Sequence, residues 1–408
     1  MLRSRLRGLP NNVYLSFLCF FFLLTGYFIL RPVRDEMSTQ VTPSGLSNLF
    51  IGTFAAVIVL VPCYAWAIRQ FRQRQFLVLV YLFFLSHLII FWILLKTGGD
   101  ISWLPSIFFV WLSVFNIFCV SVFWSLMSEL FNRKNASAFF GWIAAGGSCG
   151  AIVGPFITST LTPMVGLTNI IGIAAIALGA TAVLLILLVK QLNHDNPLDE
   201  QAARFSDGPL LNGFKIIVTN PQLLNIAGFT LLYSFASTIL YFEQAQITRD
   251  AIPSPEARTV YFANIDLVVN GGNLVIQLFF TRKIIWSSGF KSMMFVPLVV
   301  VIGVGAVLLS RQLAVIALVM VLHRVSHFAI TSPTRELLYT RVTNVERYKG
   351  KNIIDTIVFR GSDAISGWVL QSISAIGFKP VLIVLPIGLY WAWVGSRIAK
   401  RDSLTEKP

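Results

Sequence analysis

Long apolar runs recur along the chain, each about the length of a bilayer crossing, separated by short polar intervals. A membrane-spanning helix needs about 20 mostly apolar residues. About twelve runs meet that requirement, over roughly 13–31, 46–68, 76–95, 103–128, 137–160 and 167–189, then 221–246, 260–281, 292–310, 313–334, 353–376 and 379–397. The short alternating segments of a β-barrel are absent. The pattern predicts an all-α polytopic membrane protein. The longest polar interval, Gln191 to Asn220, divides the spans six and six. The expected organisation is a six-helix bundle over 1–190, a cytoplasmic linker over 191–220 and a second bundle over 221–408, which carries a short basic tail.

Composition agrees. Of 408 residues, 56% are hydrophobic and 12% charged, about half the charged share of a soluble domain. The net charge of +14 would suggest nucleic-acid binding in a soluble chain. Here its placement matters more. With a cytoplasmic N-terminus, the cytoplasmic loops carry most of the Lys and Arg: Arg3, Arg5 and Arg7, then Arg69, Arg72 and Arg74, then Arg282, Lys283 and Lys291, then Arg335 to Lys351. The opposite loops carry only Lys96, Arg249, Arg258, Arg311 and Lys379, with Arg31 and Arg34 near an interface. Under the positive-inside rule both termini are cytoplasmic, and the excess charge records topology, not a nucleic-acid partner. Arg3 to Arg7 before the first apolar run resemble a signal peptide, but no small-residue cleavage site follows, so this run is expected to stay as the first helix. Cys19, Cys63, Cys119 and Cys149 lie in apolar runs and define no disulfide or metal pattern.

The two halves echo each other. Ser125–Leu130 ends span four as Ser332–Leu337 ends span ten. Gly147-Ser148 corresponds to Gly361-Ser362, and the basic loop after span two to that after span eight. A duplicated six-helix unit is the expected origin.

Charges at bilayer depth require a partner or a wet cavity. In span eight, Asp266, Asn270, Asn273 and Gln277 share one helical face and would line a cavity or hydrogen-bond to a neighbouring helix. Glu243, near the outer end of span seven, is either a proton or cation site or a wet interfacial residue. Span ten carries His323, Arg324 and His327: Arg324 needs an anion or a carboxylate, and the histidines would relay protons or simply pack. In span eleven, Arg360 and Asp363 are one turn apart and either pair or meet substrate, with Asp355 before them. Arg31 and Arg34 flank Pro32, a place suited to an anion or a lipid headgroup. Gly141, Gly146, Gly147, Gly150 and Gly154 in span five read as a packing face. No metal-ligand spacing and no nucleophile–base set occurs, so no cofactor and no enzymatic activity are expected.

Ser332-Pro333-Thr334-Arg335-Glu336, then Tyr348-Lys349-Gly350-Lys351-Asn352-Ile353-Ile354-Asp355, then Arg360-Gly361 resemble the ATP/ADP translocase (nucleotide transporter) family. Leu30-Arg31-Pro32-Val33-Arg34-Asp35, Phe123-Trp124 and Phe139-Phe140-Gly141 are also similar to it. The resemblance implies a major-facilitator-type fold and nucleotide exchange. It also implies that Arg34 stands for a first-helix lysine, Glu243 for a helix-seven glutamate, and Lys351 or Arg335 for basic residues between spans ten and eleven. Asp363 departs from it, standing where the family usually has lysine.

Together these readings predict a secondary transporter of the bacterial inner membrane, working as a monomer in the lipid bilayer. Its substrate would be a nucleotide or other organic anion, exchanged or moved with protons. Arg31, Arg34, Arg324, Arg360 and Lys351 would hold the anion, and Asp266, Asn270, Asn273 and Gln277 would line its path. Glu243, Asp363, Arg335, Glu336 and Asp355 would couple or gate. The alternatives are a non-transporting membrane component, in which carboxylates neutralise Arg324 and Arg360, or a lipid-handling protein with a laterally open groove.

Overall fold

The computed structural model describes residues 10–70, 73–98, 101–131, 133–190 and 210–405. The basic N-terminal residues Arg3, Arg5 and Arg7, and the linker up to residue 209, lie outside them. The elements are α1 (Asn11–Gln40), α2 (Pro43–Gln70), α3 (Gln73–Lys96), α4 (Leu104–Leu130), α5 (Arg133–Lys190), α6 (Leu210–Thr219), α7 (Pro221–Ala251) and α8 (Pro255–Phe279). They continue with α9 (Thr281–Ser288), α10 (Phe295–Leu309), α11 (Leu313–Ser326), α12 (Ser332–Tyr339), α13 (Asn344–Ile353), α14 (Phe359–Ala375) and α15 (Val384–Thr405). Helices dominate because backbone amides inside hydrocarbon must find partners within their own segment.

Ten segments among the described residues are long and apolar enough to cross a membrane. One of them, Phe139–Lys190, runs for 52 residues and holds two of the expected spans. The chain breaks there at Gly166, whose φ of 79° strains any residue with a Cβ. Span eleven is built from a π-helical turn at Ile354–Val358 and α14, entered from the end of the polar helix α13. The all-helical architecture agrees with the sequence expectation. The differences are local. The expected linker contains a helix, α6. Span nine is preceded by α9 and a 3₁₀ turn over Gly289–Met294, and span ten contains a π-helical turn at His327–Thr331.

By internal contact the chain forms two compact units. The first contains α1, α2 from Ala56 onward, α3, α4, α5 and Ile252–Leu267. The second contains Val41–Ala55, α6, α7 and the chain from Val268 on. Each has its own apolar core. Phe108, Phe115 and Phe123 are fully buried in the first, and Trp391 in the second, where it packs on Phe229 and Tyr233.

In the first unit, the glycines of α5 set the approach of α1. A Cβ on Gly146 would lie 2.4 Å from the Phe17 carbonyl oxygen, and one on Gly150 would lie 2.4 Å from that of Phe21. One on Gly154 would lie 2.7 Å from Phe28 Cβ. One turn further, the Thr158 hydroxyl donates to the Ile29 carbonyl at 3.2 Å. Small residues at every fourth position let two backbones meet, where the attraction in lipid is close packing. Gly141 has open space around it instead.

On the polar side, Thr343 and Glu346 form a reciprocal cap at the start of α13. The Thr343 hydroxyl, then the Asn220 amide, hold the Glu346 carboxyl below its ordinary pKa.

Replacing Gly150 with Ala is expected to cost about 1–3 kcal/mol through forced separation of α1 and α5. Gly141→Ala should be close to neutral. Thermal unfolding of the two purified variants checks this, and equal midpoints would refute the close-approach account.

Candidate functional site

Buried charge gathers in two places, one in each unit. In the first, the last turns of α1 carry Arg31, Arg34, Asp35 and Glu36. Arg31 Nε lies 3.6 Å from Asp266 Oδ2, in the part of α8 that belongs to this unit. Arg34 donates to its neighbour Asp35 at 2.6 Å, and its guanidinium stands over the Phe109 ring at 5.1 Å. Glu36 is fully buried. It accepts from Arg258 at 2.8 Å and from Gln40 at 2.9 Å. Arg258 also donates to the carbonyls of Ile252 and Pro253. Sequence reasoning joined neither Glu36 nor Arg258 to the site, because they lie 222 positions apart and each resembles an interfacial charge.

In the second unit, the centre is Tyr233 on α7. Its ring is stacked on His327 at 3.7 Å between centroids and on His323 at 5.4 Å. The Ser237 hydroxyl lies 3.2 Å from His323 Nε2. The Nδ1 atoms of both histidines are buried without a hydrogen-bond partner. Arg324, between them in sequence, is 8% exposed. Asp363 is buried on α14, where it accepts from the hydroxyls of Ser234 and Thr238, the latter at 2.8 Å, and pairs with Arg360 at 3.6 Å. The sequence reading named neither hydroxyl, although Thr230, Ser234 and Thr238 recur every fourth residue along one face of α7.

The π-helical turn after Ser326 follows from Pro333. Proline has no N–H, so the Ala329 carbonyl four residues back loses its helical donor. Thr281 supplies one at 2.7 Å. Gln277 donates to the adjacent Phe328 carbonyl at 3.2 Å. Such turns occur often at functional sites, and here one lies directly after the buried His323–His327 stretch.

The expected polar face of α8 is therefore shared out. Asp266 pairs with Arg31, and Gln277 caps a carbonyl. Asn273 keeps a buried side-chain oxygen without a hydrogen-bond partner. Asn270 lies between them, part-buried. The charges of the region between spans ten and eleven meet each other. Arg335 pairs with Asp355 at 3.1 Å and also donates to Thr230, and Lys351 pairs with Glu336 at 2.5 Å. Glu243 pairs with Arg311 at 3.2 Å. Among the described residues no group of three or more potential metal ligands occurs.

The Major Facilitator Superfamily model matches residues 16–348. The chain belongs to the Major Facilitator Superfamily. No curated protein matches the sequence. Solved structures similar to it include the nucleoside transporter NupG, at TM-score 0.65 and 13% identity over 98% of this chain and 100% of that one. A POT family transporter in complex with a thioalcohol conjugated peptide aligns at TM-score 0.67 and 11% identity, over 98% of both chains. A bacterial homologue of the iron transporter ferroportin in the inward-facing state aligns at 0.65 and 13%, over 94% of this chain and 99% of that one. At these identities the likeness is one of fold. As a member of the Major Facilitator Superfamily the chain is a multi-pass membrane protein with a transporter fold, and not an enzyme.

Removing one member of a buried ion pair strands the other. Glu36→Met alone and Arg258→Met alone are each expected to cost about 3–5 kcal/mol, and the double replacement less than either. Thermal denaturation of the three variants tests this, and additive losses would refute the pairing.

Proposed function

We propose that this chain is a secondary active transporter of a nucleotide or other organic anion. It works by alternating access, through exchange or proton coupling. The observation that carries the reading is Arg324, 8% exposed within a membrane-spanning helix and beside two buried histidines. Holding a guanidinium there is costly, and such a residue usually serves transported charge. Arg31, Arg34 and Arg360 are the other arginines assigned to the anion, with Lys351 nearer the membrane surface. Guanidinium groups suit carboxylate and phosphate through paired donors. Asp266, Asn270, Asn273 and Gln277 are the polar groups assigned to its path.

Coupling falls to Asp363, which Ser234, Thr238 and Arg360 already surround, with Glu243 as a second carboxylate. Arg335, Glu336 and Asp355 gate from the ends of spans ten and eleven. The proposed layout is two six-helix bundles in the bacterial inner membrane. Both termini face the cytoplasm, as the Lys/Arg asymmetry supports.

A second reading is favoured by the Arg360–Asp363 pair. A non-transporting component of this fold would neutralise its intramembrane arginines internally, as that pair does.

Purified protein in liposomes, offered labelled nucleotides and organic acids with and without a pH gradient, separates the two readings. Uptake of at least one anion is expected, with Arg34→Ala and Arg360→Ala each reducing it tenfold or more, the equivalent of about 1.4 kcal/mol per decade. Wild-type uptake by both variants would defeat the anion-site assignment. No flux of any anion would favour the second reading.

A further inference from the structure

The second unit carries a cleft of about 440 Å³ that the transport reading does not use. Gly361, Ala364, Ile365 and Trp368 of α14 line it on one side, with Val358 of the preceding π-helical turn. Phe54, Leu231 and Phe214 form its walls. Its size is within the roughly 300–1,000 Å³ of small-molecule sites. Its chemistry is unlike theirs, because no polar group points into it. The one hydroxyl on the lining, Ser362, is spent on the Leu231 carbonyl at 2.9 Å. An apolar cavity of this kind does not hold water, and nothing in it would orient an anion.

Trp368 and Ile365 on its rim are 62% and 56% exposed, on α14, within the stretch expected from the sequence as span eleven. The medium they meet is lipid hydrocarbon. Gly361 keeps that side low, since a Cβ there would reach ordinary contact with the Phe54 ring at 3.5 Å. Phe214, one of the lining residues, lies on α6. That helix directly precedes the membrane-spanning α7 and packs against α7 and α13, so it lies at the membrane surface. Its next residue, Lys215, is exposed. An exposed cation thus directly follows a residue that lines an apolar slot.

We infer that the cleft binds one acyl chain of an anionic phospholipid, with Lys215 beside its headgroup. The chain fills a slot that would otherwise forfeit dispersion contacts along its lining. The lysine selects the headgroup, at about 1 kcal/mol for a basic residue near an anionic surface, or roughly fivefold in occupancy. The site is separate from the buried arginines, so it stands whether or not the chain moves an anion.

Trp368 reports on it directly. Its fluorescence is isolated as the difference between the wild type and Trp368→Phe in bilayers doped with phospholipid brominated along the acyl chain. With brominated phosphatidylglycerol, the Trp368 signal is expected to be half-quenched at about a fifth of the mole fraction needed with brominated phosphatidylcholine. Lys215→Gln should bring the two headgroups together, and Ala364→Phe, which fills the slot, should reduce quenching to the level of bulk contact. Lys215 is exposed, so its variant tests the inference even where Ala364→Phe fails to fold. Quenching that follows bulk mole fraction equally for both headgroups in the wild type would overturn the site. A headgroup preference that survives Lys215→Gln would overturn the role of the lysine.

Discussion

Inside a bilayer, every polar group not facing a wet cavity must be satisfied by the chain itself. Most features of this protein follow from that constraint. Backbone amides are satisfied by helix, which leaves side-chain packing and a small number of charges to determine how helices assemble. Where hydrophobic attraction between helices is absent, close approach replaces it, and the glycines of α5 permit α1 to lie against them. Where a helix must deviate, a side chain from elsewhere supplies the missing bond. Thr281 and Gln277 do so for the carbonyls near Pro333, which lets span ten carry a π-helical turn without stranding a carbonyl in lipid.

The same constraint explains what could be read from the sequence. The spans were legible because a crossing helix must be long and apolar, and no other feature imitates twenty such residues in succession. The small-residue face of span five was legible for a similar reason. The charge pairs were legible only when local. Arg360 and Asp363 are one turn apart, so their pairing follows from helical geometry. Glu36 and Arg258 are brought together only by the fold. The π-helical turn of span ten was hidden because it combines a proline with donors about fifty residues away. Membership of the Major Facilitator Superfamily likewise rests on a pattern spread over the chain, whereas substrate choice rests on a few side chains.

Nor does the sequence announce that α2 and α8 are each divided between units. Span eight reads as a single polar stripe, and the natural expectation is a single role. The division falls between Asp266 and Asn270. Asp266 therefore belongs with Arg31 and the buried charges of α1, while Gln277 serves the backbone of span ten. One helix contributes a counter-ion at one end and a carbonyl cap further along. The period of the helix aligns these residues but does not say what each will face.

The ion pairs differ in what an alternating-access cycle would ask of them. Arg360–Asp363 and Arg34–Asp35 are held by a single helix, so they persist through any rigid motion of that helix. Glu36–Arg258 and Arg31–Asp266 join segments more than two hundred residues apart in the chain. Pairs of this second kind separate if the segments that carry them move apart. Separating them in lipid would leave two desolvated charges, so that state needs water or a substrate anion at the same place. Both pairs lie within the first unit, so a rigid motion of that unit as a whole leaves them intact, and only a movement of α1 against the segment Ile252–Leu267 would break them.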